Sequence, residues 1–257
     1  MTEYIDFAEY YDFDHATTED IPFYLELAHQ IGAPVLELAC GTGRVLVPLA
    51  RAGFVVHGVD ISDNMLAVCR QSISRFGLDD RVSLSQASMI DFNLPRRDFK
   101  LAFVAFRSFM HLLSPADQLG CLRQAHAHLE PGGCLVLSLI APDPMRLAEV
   151  PSDAFHVRRE FELPNGHQVV RKQRLVEHDA ITQVRRFEFK FEERDQSRKI
   201  VRERLVPLWM RYSFPDELEN RLREAGFGQI ERLGGYDGKK YDGTGEMVVV
   251  AKRTTSA

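Results

Sequence analysis

A chain of 257 residues, 45% hydrophobic and 27% charged, can build one sizeable core or one domain with a large insertion. Its formal net charge of −5 lacks the basic excess expected of a protein that lives on phosphate backbones, and no apolar run approaches membrane-spanning length. Cys40, Cys69, Cys121 and Cys134 form no Cys-x-x-Cys pair, which argues against a zinc site and a disulfide framework and for buried, reduced thiols in the cytoplasm.

The opening MTEYIDFAEYYDFDHATTED is acidic and aromatic, the wrong chemistry for a signal or transit peptide. From Pro34 on, strand-like and helical patterns alternate. PVLELA (34–39) reads as a strand and GRVLVPLARAG (43–53) as a helix stopped by Gly53, with Pro48 either kinking it or making its start irregular. FVVHGVDI (54–61) is a second strand. Ser62 caps the helix DNMLAVCRQSISRFG, which Gly77 ends. RVSLSQAS (81–88) is a third strand, and FKLAFVAF (99–106) is a fourth, apolar enough to be buried on both faces. Ser114 and Pro115 open a further helix before the strand CLVLSLIAP (134–142). Such alternation implies a parallel, doubly wound α/β sheet.

Between residues 143 and 213 the period changes. Phe187, Phe189 and Phe191 alternate with Arg186, Glu188 and Lys190, the pattern of an antiparallel sheet with one wet face, and Asn165-Gly166 marks a hairpin. Helical period returns at 215–226, followed by strands at 228–233 and 246–252; the tail KRTTSA (252–257) is expected to fray. The domain reading is therefore an N-terminal segment (1–33), a core (34–142 and 214–253) and an antiparallel β insertion (143–213).

Gly41 and Gly43 stand where the first strand hands over to a helix, whose free N–H groups attract anionic or polar ligand atoms. The dinucleotide fingerprint wants a third glycine at 46, where Leu46 stands, and no Gly-Lys-Ser/Thr of a P-loop follows. Asp60, at the end of the second strand, is placed to accept both hydroxyls of a ribose without a 2′-phosphate. Glu37, inside the first strand, would repel a pyrophosphate and suits a cofactor that carries positive charge.

The runs VLELACGTGRV, VHGVDIS, SQASMIDFNLP, FVAFRSFMHLL and HLEPGGCLVLSL, with GEMVVVAKR as a final strand, resemble in order and spacing the class I S-adenosylmethionine-dependent methyltransferases of small-molecule type. The resemblance implies a Rossmann-like sheet of seven strands, the last antiparallel, with the β insertion after the fifth strand. It places Gly41 and Gly43 under the cofactor's methionine and ribose, with Glu37 supporting the turn or the amino group. Asp60 then holds the ribose, Ile61 and Met65 line the adenine, and Ser88-Met89 approach the adenine amino group. Ser88 departs from the acid or amide usual at its position. Phe106 and Arg107 would border the methionine moiety; relatives often have Asn where Arg107 stands, so Arg107 can instead pair with a carboxylate. The resemblance also implies that the N-terminal segment (1–33) closes over the cofactor as a lid, from which Tyr11, beside Tyr10, would approach it, where an aromatic ring can shield a sulfonium.

His111, shortly after the fourth strand, is the first choice for a general base near the methyl acceptor, weighed evenly against a hydrogen-bonded wall residue. Trp209, Arg211 and Tyr236 are candidates to line a substrate chamber with Arg107. The insertion carries thirteen Lys or Arg against nine Asp or Glu between His156 and Arg204, interleaved as on a solvated face. The family's Asp/Asn-Pro-Pro-aromatic and Pro-Cys motifs for nucleic-acid bases are absent, so the expected partner is a small molecule acceptor of a methyl group on N or O, with neither nucleic acid nor membrane involved. The β insertion can cover the site or pair two copies as a homodimer. The alternatives are a catalytically inactive S-adenosylmethionine-binding regulatory protein and a nicotinamide-dependent oxidoreductase.

Overall fold

The computed structural model describes residues 8–255. Two helices, α1 (Ala8–Asp14) and α2 (Ile21–Ile31), precede the alternation β1 (Val35–Leu38), α3 (Leu46–Arg51), β2 (Val56–Asp60), α4 (Asp63–Phe76), β3 (Val82–Gln86), β4 (Phe99–Val104), α5 (Pro115–His128) and β5 (Leu129–Ile140). After the short α6 (Pro144–Leu147) come four strands without an intervening helix: β6 (His156–Glu162), β7 (Gln168–Asp179), β8 (Val184–Arg194) and β9 (Ile200–Arg211). The helix α7 (Pro215–Glu224) and strands β10 (Phe227–Leu233) and β11 (Glu246–Arg253) complete the order. The chain divides into two units. The larger holds Thr18–Asp143 and the stretch from Tyr212 onward; the smaller holds Pro144–Arg211 and the N-terminal stretch up to Thr17.

In the larger unit a seven-stranded sheet runs in the order β10-β11-β5-β4-β1-β2-β3. β1 pairs in parallel with β2 and β4, while β11 runs antiparallel to both β5 and β10. This is the Rossmann-like sheet expected from the sequence, with the last strand reversed. Every residue of β1 is buried, as is most of β4, which accounts for their near-continuous apolar runs. Ser62 accepts a hydrogen bond from the Met65 N–H and Ser114 one from the Asp117 N–H, so both predicted caps form. α3 starts only at Leu46, which puts Pro48 in the first turn, where its missing N–H costs nothing. The tail is tied further than expected: Arg253 donates to the His126 carbonyl at 2.9 Å, and Thr254 Oγ1 to the Gly226 carbonyl at 2.8 Å.

The segment read as one lid is divided. α2 belongs to the larger unit, where fully buried Tyr24 stacks on Phe103 of β4 at 4.5 Å between centroids. α1 belongs to the smaller unit; residues 1–7, and the last two of the tail, lie outside the described residues.

The smaller unit is a four-stranded antiparallel sheet, β6-β7-β8-β9. Phe187, Phe189 and Phe191 cluster with Val169, Leu175, Val206 and Leu208 on one side, and Tyr10 of α1 packs into that cluster. The Tyr10 hydroxyl donates to Glu193 at 2.6 Å, and the Asp14 carboxylate pairs with Arg171 at 3.0 Å. The alternate residues carry interleaved ion pairs, among them Arg174–Glu188 and Lys190–Glu203. Period-two patterning thus separates an apolar face from a charged one.

Candidate cofactor site

Parallel strands deliver their carboxyl ends to one edge of the sheet, and the residues that follow β1, β2 and β4 gather the chemistry there. After β1 the chain turns through three left-handed residues, Ala39, Gly41 and Gly43, at φ of 57°, 55° and 86°. The two glycines serve different ends. A Cβ on Gly43 would lie 2.7 Å from Cys69 Sγ, so this glycine lets α4 close on the turn. A Cβ on Gly41 would meet nothing within 4 Å, so this glycine leaves one side of the turn open to a ligand.

Asp60 ties the end of β2 to that turn. Its Oδ2 accepts the Gly41 N–H at 2.8 Å and its Oδ1 the Ser62 N–H at 2.8 Å. Burial raises its pKa, and the hydrogen bonds from the Ser62, Gly41 and Ile61 backbones oppose that rise. Ile61 follows with 44% of its surface exposed, an apolar shelf beside the carboxylate. Met65 is buried in α4, packed rather than open.

Glu37 is 3% exposed. Desolvation pushes its carboxyl well above the usual range against the attraction of Arg44, and the nearby Asp20 and Asp60 charges push the same way. Its Oε2 is buried with no hydrogen-bond partner among the described residues. A buried acid with a spare oxygen suits a cationic ligand group.

The sequence reading did not single out Arg44. Its guanidinium grips Asp20 through two hydrogen bonds of 2.6 Å and lies 4.7 Å from the Phe106 ring centroid. A basic residue directly after a glycine turn was a visible signal; its partner, 24 positions upstream at the start of α2, was not. Phe106 and Arg107 are consecutive left-handed non-glycine residues, at φ of 52° and 69°. Arg107 pairs with Glu246 of β11 at 2.8 Å, so the carboxylate partner is supplied by the chain itself.

Ala87 N–H bonds the Asp60 carbonyl at 2.9 Å, bringing the segment after β3 beside the shelf. Ser88 there forms a tight turn with Asp91, accepting the Ile90 N–H on its hydroxyl, and Met89 is half-buried within that turn. His111 ends a 3-10 turn, Ser108–His111, whose Phe109 and Met110 are buried. Tyr236 packs on Phe23 and Tyr24 with centroids at 5.6 and 6.2 Å, and its hydroxyl donates to Glu246 at 3.4 Å. Burial raises its pKa.

The remaining expected residues lie in the smaller unit. Tyr11 stacks on His15 at 4.4 Å. Trp209 is half-buried opposite Arg186. Arg211, a candidate to line a substrate chamber, has a buried side chain that donates to Gln183. All four cysteines are free and buried. Among the described residues no group of three His, Cys, Asp or Glu side chains is placed to hold a metal, and no helix is long and apolar enough to cross a membrane.

Residues 35–133 match the family model described as a methyltransferase domain. Over 145 residues the chain is 29% identical to the carboxy-S-adenosyl-L-methionine synthase of Chromohalobacter salexigens, covering 54% of this chain and 50% of that protein. Over 123 residues it is 31% identical to the dTDP-3-amino-3,6-dideoxy-alpha-D-glucopyranose N,N-dimethyltransferase of Streptomyces fradiae, covering 48% and 46%. The chain thus spans about half the length of these curated relatives. The structure of the CcbJ methyltransferase from Streptomyces caelestis superposes with a TM-score of 0.77 at 26% identity over 95% of each chain. The open side of Gly41, the Asp60 carboxylate beside it and the buried acid Glu37 fit a cofactor with a free ribose and a cationic amino acid end. Residues 35–133 thus match a methyltransferase domain, in a chain with the fold of the S-adenosylmethionine-dependent methyltransferases, and S-adenosylmethionine is the cofactor.

Proposed function

We propose that this chain transfers the methyl group of S-adenosylmethionine to a nitrogen or oxygen of a small molecule, with an amine-bearing sugar the first acceptor to try. The observation that carries the reading is the glycine turn with Asp60 bonded to it on one side and open space on the other. The amino-sugar N,N-dimethyltransferase activity named for the Streptomyces relative supports the choice of acceptor. Paired, interleaved charges on the smaller unit's sheet support a small acceptor over a phosphate backbone. A cytoplasmic setting and a homodimeric state belong to the same proposal, the latter tested by light scattering.

In this reading Asp60 holds the ribose, Ile61, Ser88 and Met89 flank the adenine, and Phe106 borders the methionine end. Arg107 and Tyr236 border the acceptor. Bound S-adenosylmethionine supplies a methyl group on a good leaving group, so the chain's own task is alignment and removal of a proton. His111 takes that proton. His111→Ala is expected to lower kcat by roughly 10²–10⁴-fold while leaving S-adenosylhomocysteine affinity unchanged; unaltered turnover on a hydroxyl or protonated-amine acceptor removes His111 from the role.

The test is turnover on a panel of amino sugars, amines and alcohols, read by mass. Acceptors that gain a methyl group support the proposal. Cofactor binding with no transfer favours a regulatory protein, and tighter binding of NAD than of S-adenosylmethionine favours an oxidoreductase. A carboxylated cofactor as product, the chemistry named for the Chromohalobacter relative, overturns methyl transfer.

A further inference from the structure

β11 is the one strand of the larger sheet that runs against its neighbours, so it begins at the edge where the parallel strands end. Its first residue, Glu246, stands opposite Ile140 at the end of β5. The Glu246 carboxylate is shared between two other elements. Oε2 accepts Arg107 Nη2 at 2.8 Å and Nε at 3.3 Å, from the turn after β4. Oε1 accepts the Tyr236 hydroxyl at 3.4 Å, from the loop between β10 and β11.

The turn it holds is under strain. Two consecutive non-glycine residues in the left-handed region persist only when their surroundings over-determine them. The Arg107 N–H bonds Ser138 Oγ at 3.3 Å, and the Arg107 side chain is fixed by Glu246. Between these anchors sits the Phe106 ring, with the Arg44 guanidinium 4.7 Å and the Arg107 guanidinium 5.7 Å from its centroid. Arg44 belongs to the glycine turn and is locked by Asp20. A continuous run, Asp20–Arg44–Phe106–Arg107–Glu246–Tyr236, therefore joins the glycine turn to the start of β11.

We propose, on the reading of the larger unit as an S-adenosylmethionine site, that Glu246 is a positioning residue: it clamps Arg107 and Tyr236 so that the Phe106 ring is held against the amino-acid end of the cofactor. Glu246 does not touch the adenosine half. Side-chain exposures of 38% for Arg107 and 20% for Glu246 leave the clamp at the surface of the site rather than in the core, so its loss alters the turn more than the fold.

The test compares two probes, S-adenosylhomocysteine and adenosine, which lacks the amino-acid end, by calorimetry on the full chain. Glu246→Ala is expected to weaken S-adenosylhomocysteine about tenfold, the worth of a charge-assisted hydrogen bond, and to leave adenosine unchanged. Glu246→Gln, which keeps an acceptor for Tyr236 and Arg107, is expected to recover most of that loss and serves alone if the alanine variant does not fold, a loss of about twofold confined to S-adenosylhomocysteine being its supporting result. Arg107→Ala combined with Glu246→Ala is expected to be no worse than Arg107→Ala alone. Equal losses for both probes, unchanged binding of both, or additive losses in the double variant overturn the clamp. Wild-type chain that binds neither probe overturns the cofactor reading instead.

Discussion

Glu37 is a carboxylic acid where its charge is disfavoured. Burial holds its pKa in the folded chain above the unfolded value, so between those two values the folded chain binds the additional proton. Stability of the ligand-free protein therefore rises as pH falls through that window and is reduced at neutral pH, where the unfolded acid is ionised. Glu37→Gln is expected to stabilise the ligand-free chain by about 1–3 kcal/mol, seen as a higher melting temperature at pH 7. The same variant is expected to bind S-adenosylhomocysteine about tenfold more weakly. Lower stability together with unchanged affinity would show that Glu37 serves packing alone. Glu37 was legible as an acid inside an apolar run. The Arg44–Asp20 grip was not, because a bidentate pair depends on two side chains meeting in space, and single-sequence spacing carries no record of it.

At the scale of elements, the β1–α3 turn assigns separate work to its glycines. Gly43→Ala must displace Cys69 as well as adopt a left-handed φ, and is expected to cost about 2–4 kcal/mol from overpacking and backbone strain together. Gly41→Ala meets no neighbour and is expected to cost only about 1–2 kcal/mol, yet its methyl group occupies the open side and lowers cofactor affinity. Urea melts paired with S-adenosylhomocysteine titrations check this, and equal stability losses in the two variants would contradict the division. The caps at Ser62 and Ser114, the strands and the Asn-Gly hairpin were legible because capping and period-two or period-3.6 patterning are local. The separation of α1 from α2 was not: both are short amphipathic stretches, and which core receives Tyr10 or Tyr24 is decided by remote residues, Phe191 and Phe103.

For the whole molecule, a cofactor that binds only the folded state adds stability by mass action. S-adenosylhomocysteine at 100 times its Kd is expected to add about 2.7 kcal/mol, read by a thermal melt, whereas NAD at equal concentration leaves the melt unmoved. A shift with NAD and none with S-adenosylhomocysteine would contradict the cofactor assignment. The sequence by itself determined the class of the chain: hydrophobic period set the strands and helices, and Glu37, Gly41, Gly43 and Asp60, spaced along two consecutive βα units, pointed to a cationic cofactor with a free ribose, which the family resemblance named. Those features are local, and each acts through the few residues around it. Tertiary structure alone decided which carboxylate meets which guanidinium. It buried Arg211 against Gln183, seated Tyr10 in the smaller unit, and reversed β11 so that Glu246 reaches Arg107, 139 positions away. Pairings over such distances arise from sheet order and strand direction, which no short stretch of the chain encodes.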